Sequence, residues 1–99
     1  MARYELSKLA DQDLKEIYLY SLTNFGELQA DKYLNDLNLC LQNLSKSPQQ
    51  GRMVRDIQEG VYKFSFVSHM IFYVIRPPGI FVARVLHKKM DHKYHLDNT

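Results

Sequence analysis

The 99-residue chain holds a single cysteine, Cys40. One thiol excludes an intramolecular disulfide, and a reducing cytoplasm is the simplest setting. Long apolar runs are also missing. The longest, Met70 to Ile75, is strand-sized, well short of the ~20 residues that cross a bilayer. The opening Met1-Ala2-Arg3-Tyr4-Glu5-Leu6 lacks the apolar stretch of a signal peptide. The chain is therefore expected in the cytoplasm, with no membrane partner. No glycine-rich phosphate loop, internal repeat or low-complexity segment is visible.

What is present fits one small domain spanning residues 1–99. Hydrophobic residues make up 45% of the chain, enough for a real but small core. Such a domain can draw part of its stability from a partner. The net charge of +2 is unevenly divided. Residues 1–50 hold five Lys/Arg against seven Asp/Glu, a net −2, and residues 51–99 hold eight against four, a net +4. The basic half suits an acidic protein or a nucleic acid, and equally a plain solvated surface.

The period of the apolar residues changes near Gly51. Before it the pattern is helical. Arg3 to Leu6 reads as an opening strand, and Ser7 can cap the helix that follows. Ala10, Leu14, Ile17, Ser21 and Phe25 form that helix's inner face, Asp11 and Asp13 occupy its first turn, and Gly26 stops it. A second helix from about Glu27 to Leu44 presents Ala30, Tyr33, Leu34, Leu37, Leu41 and Leu44, with Cys40 at the edge; Ser45-Lys46-Ser47-Pro48 ends it. After Gly51 the period becomes two. Val61 to Phe66 alternates, His69 to Ile75 is a continuous apolar strand, Arg76-Pro77-Pro78-Gly79 is a turn, and Ile80 to His87 is another strand. Lys88 to Thr99 reads as a polar tail. The expected fold is α+β, in the order β-α-α-β-β-β, with a helical hairpin packed on one face of a mostly antiparallel sheet.

Few side chains suggest chemistry. Paired carboxylates at catalytic spacing are absent from the strand-rich half, and Asp91 and Asp97 lie in the tail. His87, His92 and His95 are too loosely spaced for a fixed metal site, so no metal is expected and they read as surface histidines. His69, opening an apolar strand, reads as a hydrogen-bonded structural residue. Cys40 has no basic neighbour to activate it. One constellation has enzymatic potential: Arg52, Arg84, His87, Lys88 and Tyr94 can converge at one end of the sheet. Attack of an RNA 2′-hydroxyl needs a base, an acid and cations around the phosphate, and these residue types supply them. The competing reading, that Arg84 and His87 pair locally at a strand end, is favoured because no base–acid pair stands out. A separate feature lies on the helices. Leu19, Leu28 and Leu39 fall opposite the inner faces, where they can form a surface for an apolar partner segment.

Short motifs occur in a telling order. Tyr4-Glu5-Leu6-Ser7, Ala10, Asp13-Leu14, Ile17 and Tyr20 open the chain, followed by Phe25-Gly26, Gln29-Ala30 and Tyr33. Pro48 with Gly51-Arg52 precedes the strands, Ser68-His69-Met70-Ile71-Phe72-Tyr73 forms the middle one, and Arg84-Val85-Leu86-His87, Met90-Asp91 and His95-Leu96 close the series. Together, over nearly the whole chain, they resemble the ParE branch of the RelE/ParE toxin superfamily. One departure is Tyr62-Lys63 after Gly60, where relatives carry arginine nearby.

The resemblance implies the toxin of a type II toxin–antitoxin pair, of the kind associated with plasmid stabilisation. ParE toxins inhibit DNA gyrase, whereas RelE relatives cut mRNA on the ribosome. The sequence lacks a clear RelE catalytic set, which favours gyrase inhibition by protein binding. The alternative is a RelE-type mRNA endonuclease using Arg52, Arg84, His87 and Tyr94, and a third class is a toxin fold that has lost toxicity. A cognate, ParD-like antitoxin is implied, bound at Leu19, Leu28 and Leu39. Operator DNA is reached only through that antitoxin. The target is expected at Arg52, Arg84, His87 and Lys88. No cofactor is implied.

Overall fold

A computed structural model describes residues 3–54, 58–90 and 96. Strand β1 (Tyr4–Leu6) leads into helices α1 (Lys8–Phe25) and α2 (Glu27–Lys46). A 3₁₀ turn at Pro48–Gln50 precedes strands β2 (Arg52–Met53), β3 (Val61–Phe66), β4 (His69–Arg76) and β5 (Gly79–His87). The sheet order is β1-β5-β4-β3-β2. β1 is parallel to β5, with Tyr4 opposite Ile80 and Leu6 opposite Val82, and the other pairs are antiparallel. The expected α+β arrangement is thus present, with the two-residue strand β2 added at the far edge.

Local chemistry sets the helix boundaries. The Ser7 Oγ accepts the Ala10 N–H at 2.9 Å, capping α1, and donates to the Ala83 carbonyl of β5 at 2.7 Å. At the other end Gly26, with φ 89°, adopts a backbone that a side chain would resist. It turns the chain directly into α2. Ala10, Ile17, Leu37, Leu41 and Leu44 then pack on Ile71, Tyr73, Ile80, Val82 and Val85 of the sheet. Tyr73 also pins the approach to β2: its hydroxyl donates to Pro48 O at 2.6 Å and accepts the Gly51 N–H at 3.0 Å. A Cβ at Gly51 would collide with that hydroxyl.

Three features depart from the sequence reading. Phe25, expected in the core, is 64% exposed, its ring edge-on against Tyr20 at the helix end. The sheet's second face is also covered: Val54, Val61, Phe72, Leu86 and Leu96 form a separate buried cluster. Leu96 therefore belongs to the core, while the rest of the tail beyond Met90 lies outside the described residues. Third, Asp13 is not a solvated residue serving the helix dipole but is buried on the inner face of α1.

The position of Asp13 follows from the topology. β1 is only three residues long, so among the described residues β5 has no neighbouring strand beyond Val82. Ala83 is the extra residue of a bulge there, since Phe72 opposes Arg84 while Tyr73 opposes Val82. Asp13 takes the place of the missing strand. Its Oδ2 accepts the Val85 N–H at 3.0 Å, and its two oxygens accept Nε and Nη2 of Arg84 at 2.8 and 2.9 Å. Both side chains are largely withdrawn from water, at 9% and 13% exposure. Removing one partner of such a pair strands the other. Asp13→Ala is expected to destabilise the chain by about 3–5 kcal/mol. Lys15→Ala, which breaks the exposed Lys15–Asp11 pair, should cost less than about 1 kcal/mol. Urea denaturation of both variants checks the contrast.

Candidate functional site

β4 begins and β5 ends with a histidine, and the ladder register places His69 opposite His87. Their rings meet edge to face, 5.4 Å between centroids. Each ring is fixed by a hydrogen bond at its Nδ1. Tyr33 of α2 meets Phe66 edge to face, its hydroxyl accepting the Ser68 N–H at 3.4 Å and sharing a hydrogen bond with His69 Nδ1 at 2.7 Å. The Lys89 backbone N–H reaches His87 Nδ1 at 3.1 Å. The backbone donor makes His87 Nδ1 an acceptor, whereas either partner of the Tyr33–His69 bond can donate. Burial, reinforced by His87 and Lys88 and opposed by Asp13, lowers the His69 pKa to about 4. His69 is therefore neutral under ordinary conditions.

These histidines stand in a groove of about 610 Å³. One wall is the hairpin, with Ile17, Tyr20, Ser21 and Phe25 from α1 and Gln29 and Tyr33 from α2. Asp13 and Glu16 of α1, His69, Val85 and His87 of the sheet, Val67 and Ser68 of the β3–β4 turn, and Met90 complete the lining. Tyr20, Phe25, Val67 and Met90 are all exposed there. An apolar groove with a few fixed polar groups is a recognition surface by composition.

The groove gathers only part of what the sequence suggested. His87 lines it, and exposed Lys88 follows directly, its N–H donating to Ser68 O at 3.0 Å. Arg84 is committed to Asp13, which raises its pKa further despite the opposing effect of burial. Arg52 is elsewhere: the register runs Arg52–Lys63–Phe72–Arg84. Three strand spacings, about 14 Å, separate it from Arg84. Tyr94 lies outside the described residues. Leu19, Leu28 and Leu39 are exposed, Leu28 at 88%, but none lines the groove. Leu39 borders a separate hollow of about 260 Å³ beside Phe64 and Cys40. Burial pushes the Cys40 thiol pKa up, away from a reactive thiolate. Among the described residues no three His, Cys, Asp or Glu side chains gather as metal ligands, and His92 and His95 lie outside them. Among those residues, too, no helix is long and apolar enough to cross a membrane.

Sequence reasoning missed Asp13, Tyr33 and Val67 as site residues. Asp13 left a signal: it falls between Ala10 and Ile17 on the apolar face, where a carboxylate demands a buried cation. Tyr33 gave no sign of its distant partner His69, and nothing in the sequence marked Val67.

This architecture occurs in solved toxin–antitoxin structures. A chain of the "Chromosomal ParDE TA system from P. aeruginosa" superposes with a TM-score of 0.74 at 19% identity, covering 88% of this chain and 96% of that one. A chain of the toxin–antitoxin complex RelBE2 from Mycobacterium tuberculosis gives 0.63 at 17% identity, covering 88% and 98%. The fold is that of the RelE/ParE superfamily. The family model for "ParE toxin of type II toxin-antitoxin system, parDE" matches residues 4–92. Toxin ParE1 of Mycobacterium tuberculosis (strain ATCC 25618 / H37Rv) is 37% identical over 91 residues, 91% of this chain and 93% of the relative. Toxin ParE1 of Caulobacter vibrioides is 30% identical over 96 residues, 97% and 99% of the two chains. The chain belongs to the ParE toxin family of type II toxin–antitoxin systems.

The site predicts a pH response. The folded His69 pKa of about 4 lies below the ordinary 6.5, so the unfolded chain takes up a proton first as pH falls. The stability tied to neutral His69 is complete above pH 6.5 and is lost progressively towards pH 4. The melting temperature of the native chain should fall more steeply across that window than that of His69→Gln. Parallel slopes would show that His69 is not held neutral.

Proposed function

We propose that this ParE-family toxin works in the cytoplasm by binding DNA gyrase and is held inactive by a cognate, ParD-like antitoxin, through which alone it reaches operator DNA. The observation that carries this reading is the closed Asp13–Arg84 pair. RNA cleavage needs cations free to meet a phosphate, and Arg84 is already neutralised through two hydrogen bonds. The same geometry disfavours a base. We assign Tyr33 as the donor to His69 Nδ1; with the Lys89 N–H on His87 Nδ1, a neutral ring at either position would then carry its proton on Nε2 rather than a lone pair. An apolar groove and exposed leucines remain, and these suit protein contact. Arg84 therefore acts in target binding only by shaping the end of β5. His87 and Lys88 are assigned to the target, and Arg52 to a separate surface. Leu19, Leu28 and Leu39 are assigned to the antitoxin.

Purified protein is expected to block gyrase supercoiling or trap cleaved DNA, and to leave ribosome-bound mRNA intact. Codon-specific mRNA cleavage with normal supercoiling would reverse the assignment. Replacing Leu19, Leu28 and Leu39 together by Gln should leave the free chain folded, because all three face water. Each leucine fully covered by a partner contributes about 1.5–3 kcal/mol. The triple variant should therefore lose antitoxin affinity by orders of magnitude and be toxic even with antitoxin co-expressed. Unchanged affinity would place the antitoxin on another face.

A further inference from the structure

The far edge of the sheet carries a pairing that folding alone does not explain. β2 has two residues, and the ladder sets Arg52 directly opposite Lys63 of β3. Opposed residues of an antiparallel pair share one face, with Cβ atoms roughly 5 Å apart, and like charges placed so repel. Arg52 is exposed and Lys63 half-buried. Among the described residues neither side chain has an ion-pair or hydrogen-bond partner. Yet this edge is firmly held. The Tyr73 hydroxyl donates to Pro48 O and accepts the N–H of Gly51, the residue before Arg52. The buried Tyr73 ring stacks on Tyr62, 5.7 Å between centroids, and Tyr62 is the ladder partner of Met53, the residue after Arg52. The Val54 N–H then closes on Val61 O at 2.9 Å. Fixed backbone therefore stands on both sides of Arg52.

Two opposed cations need an anion between them, and the row they stand in says which kind. It continues into Phe72, which is buried, and Arg84, which Asp13 already neutralises. A nucleic-acid backbone asks for a run of cations along its phosphates. Two cations at one point instead match a single carboxylate, Arg52 through paired N–H donors and Lys63 as a point charge. Glu59, exposed in the turn before β3, makes no ion pair with either and repels a polyanion more than it repels one carboxylate. We propose that Arg52 and Lys63, set side by side by the Tyr73 hydroxyl, clamp one Asp or Glu carboxylate of the protein target, with Tyr73 as a positioning residue. This rests on the gyrase reading above and adds Lys63, Tyr73 and the chemistry of the contact.

The test measures the affinity of the full chain for intact gyrase by calorimetry, and stability by thermal melting. Arg52→Gln and Lys63→Gln should each keep or raise the melting temperature, because the repulsion is relieved, yet each bind gyrase at least about 10-fold more weakly. The double variant should lose less than the product of the two single losses, because both cations hold the same carboxylate. Tyr73→Phe should melt lower and bind about 10-fold more weakly, but should add little to the loss already caused by Arg52→Gln. Native affinity in folded Arg52→Gln and Lys63→Gln overturns the clamp and leaves the gyrase reading standing. Single losses that multiply in the double variant overturn the shared carboxylate. A Tyr73→Phe effect that is the same with Arg52 or Gln at position 52 overturns the positioning role. A native chain that does not bind gyrase overturns the gyrase reading and this inference together.

Discussion

The buried pair between Asp13 and Arg84 connects the two layers of the molecule where the sheet is least complete. β1 pairs with only three residues of β5. Beyond them the edge of β5 would present open backbone groups to the first helix. Ser7 and Asp13 satisfy that edge instead, the hydroxyl donating to Ala83 O and the carboxylate accepting the Val85 N–H. Arg84 balances the charge this places in the interior. Two withdrawn charges stabilise only when their hydrogen bonds are nearly complete. Here the carboxylate receives three, and no buried polar side-chain atom of a described residue is left without a partner.

That arrangement shapes the groove. Fixing the first half of α1 against β5 sets where the hairpin tip stands relative to the β3–β4 turn, and the space between them carries Tyr33, His69 and His87. It also decides what the basic end of the sheet can do. An arginine free to meet a phosphate and a histidine with an exposed lone pair would make a cleavage centre. An arginine enclosed by a carboxylate and two rings held through Nδ1 instead leave an apolar surface with a few fixed polar groups.

Much of the fold was legible because its signals are local. Ser7 and Gly26 bound the first helix, the leucines at 37, 41 and 44 mark the inner face of the second, and the alternation from Val61 gives the strands. The outward register of Leu19, Leu28 and Leu39 was also readable from period alone. The site was harder to read because it depends on pairs remote in sequence. Asp13 and Arg84 are 71 residues apart, and Tyr33 and His69 are 36 apart. A convergence of Arg52 with Arg84 looked reasonable until the register placed three strand spacings between them. Phe25 looked like core by its spacing, but it sits at the end of α1 beside Tyr20. Leu96, inside a polar tail, gave no periodic cue to its burial.

The central claim is that this end of the molecule recognises a protein and does not cleave RNA, and the protonation of its two imidazoles tests that most directly. Side-chain ¹⁵N NMR of the histidines at neutral pH distinguishes a nitrogen that carries a proton from one that presents a lone pair. The account predicts that His69 and His87 are both protonated on Nε2, with Nδ1 accepting from Tyr33 and from the Lys89 backbone. Either ring found with its proton on Nδ1 and a lone pair on Nε2 would contradict it and supply the base that a nuclease requires.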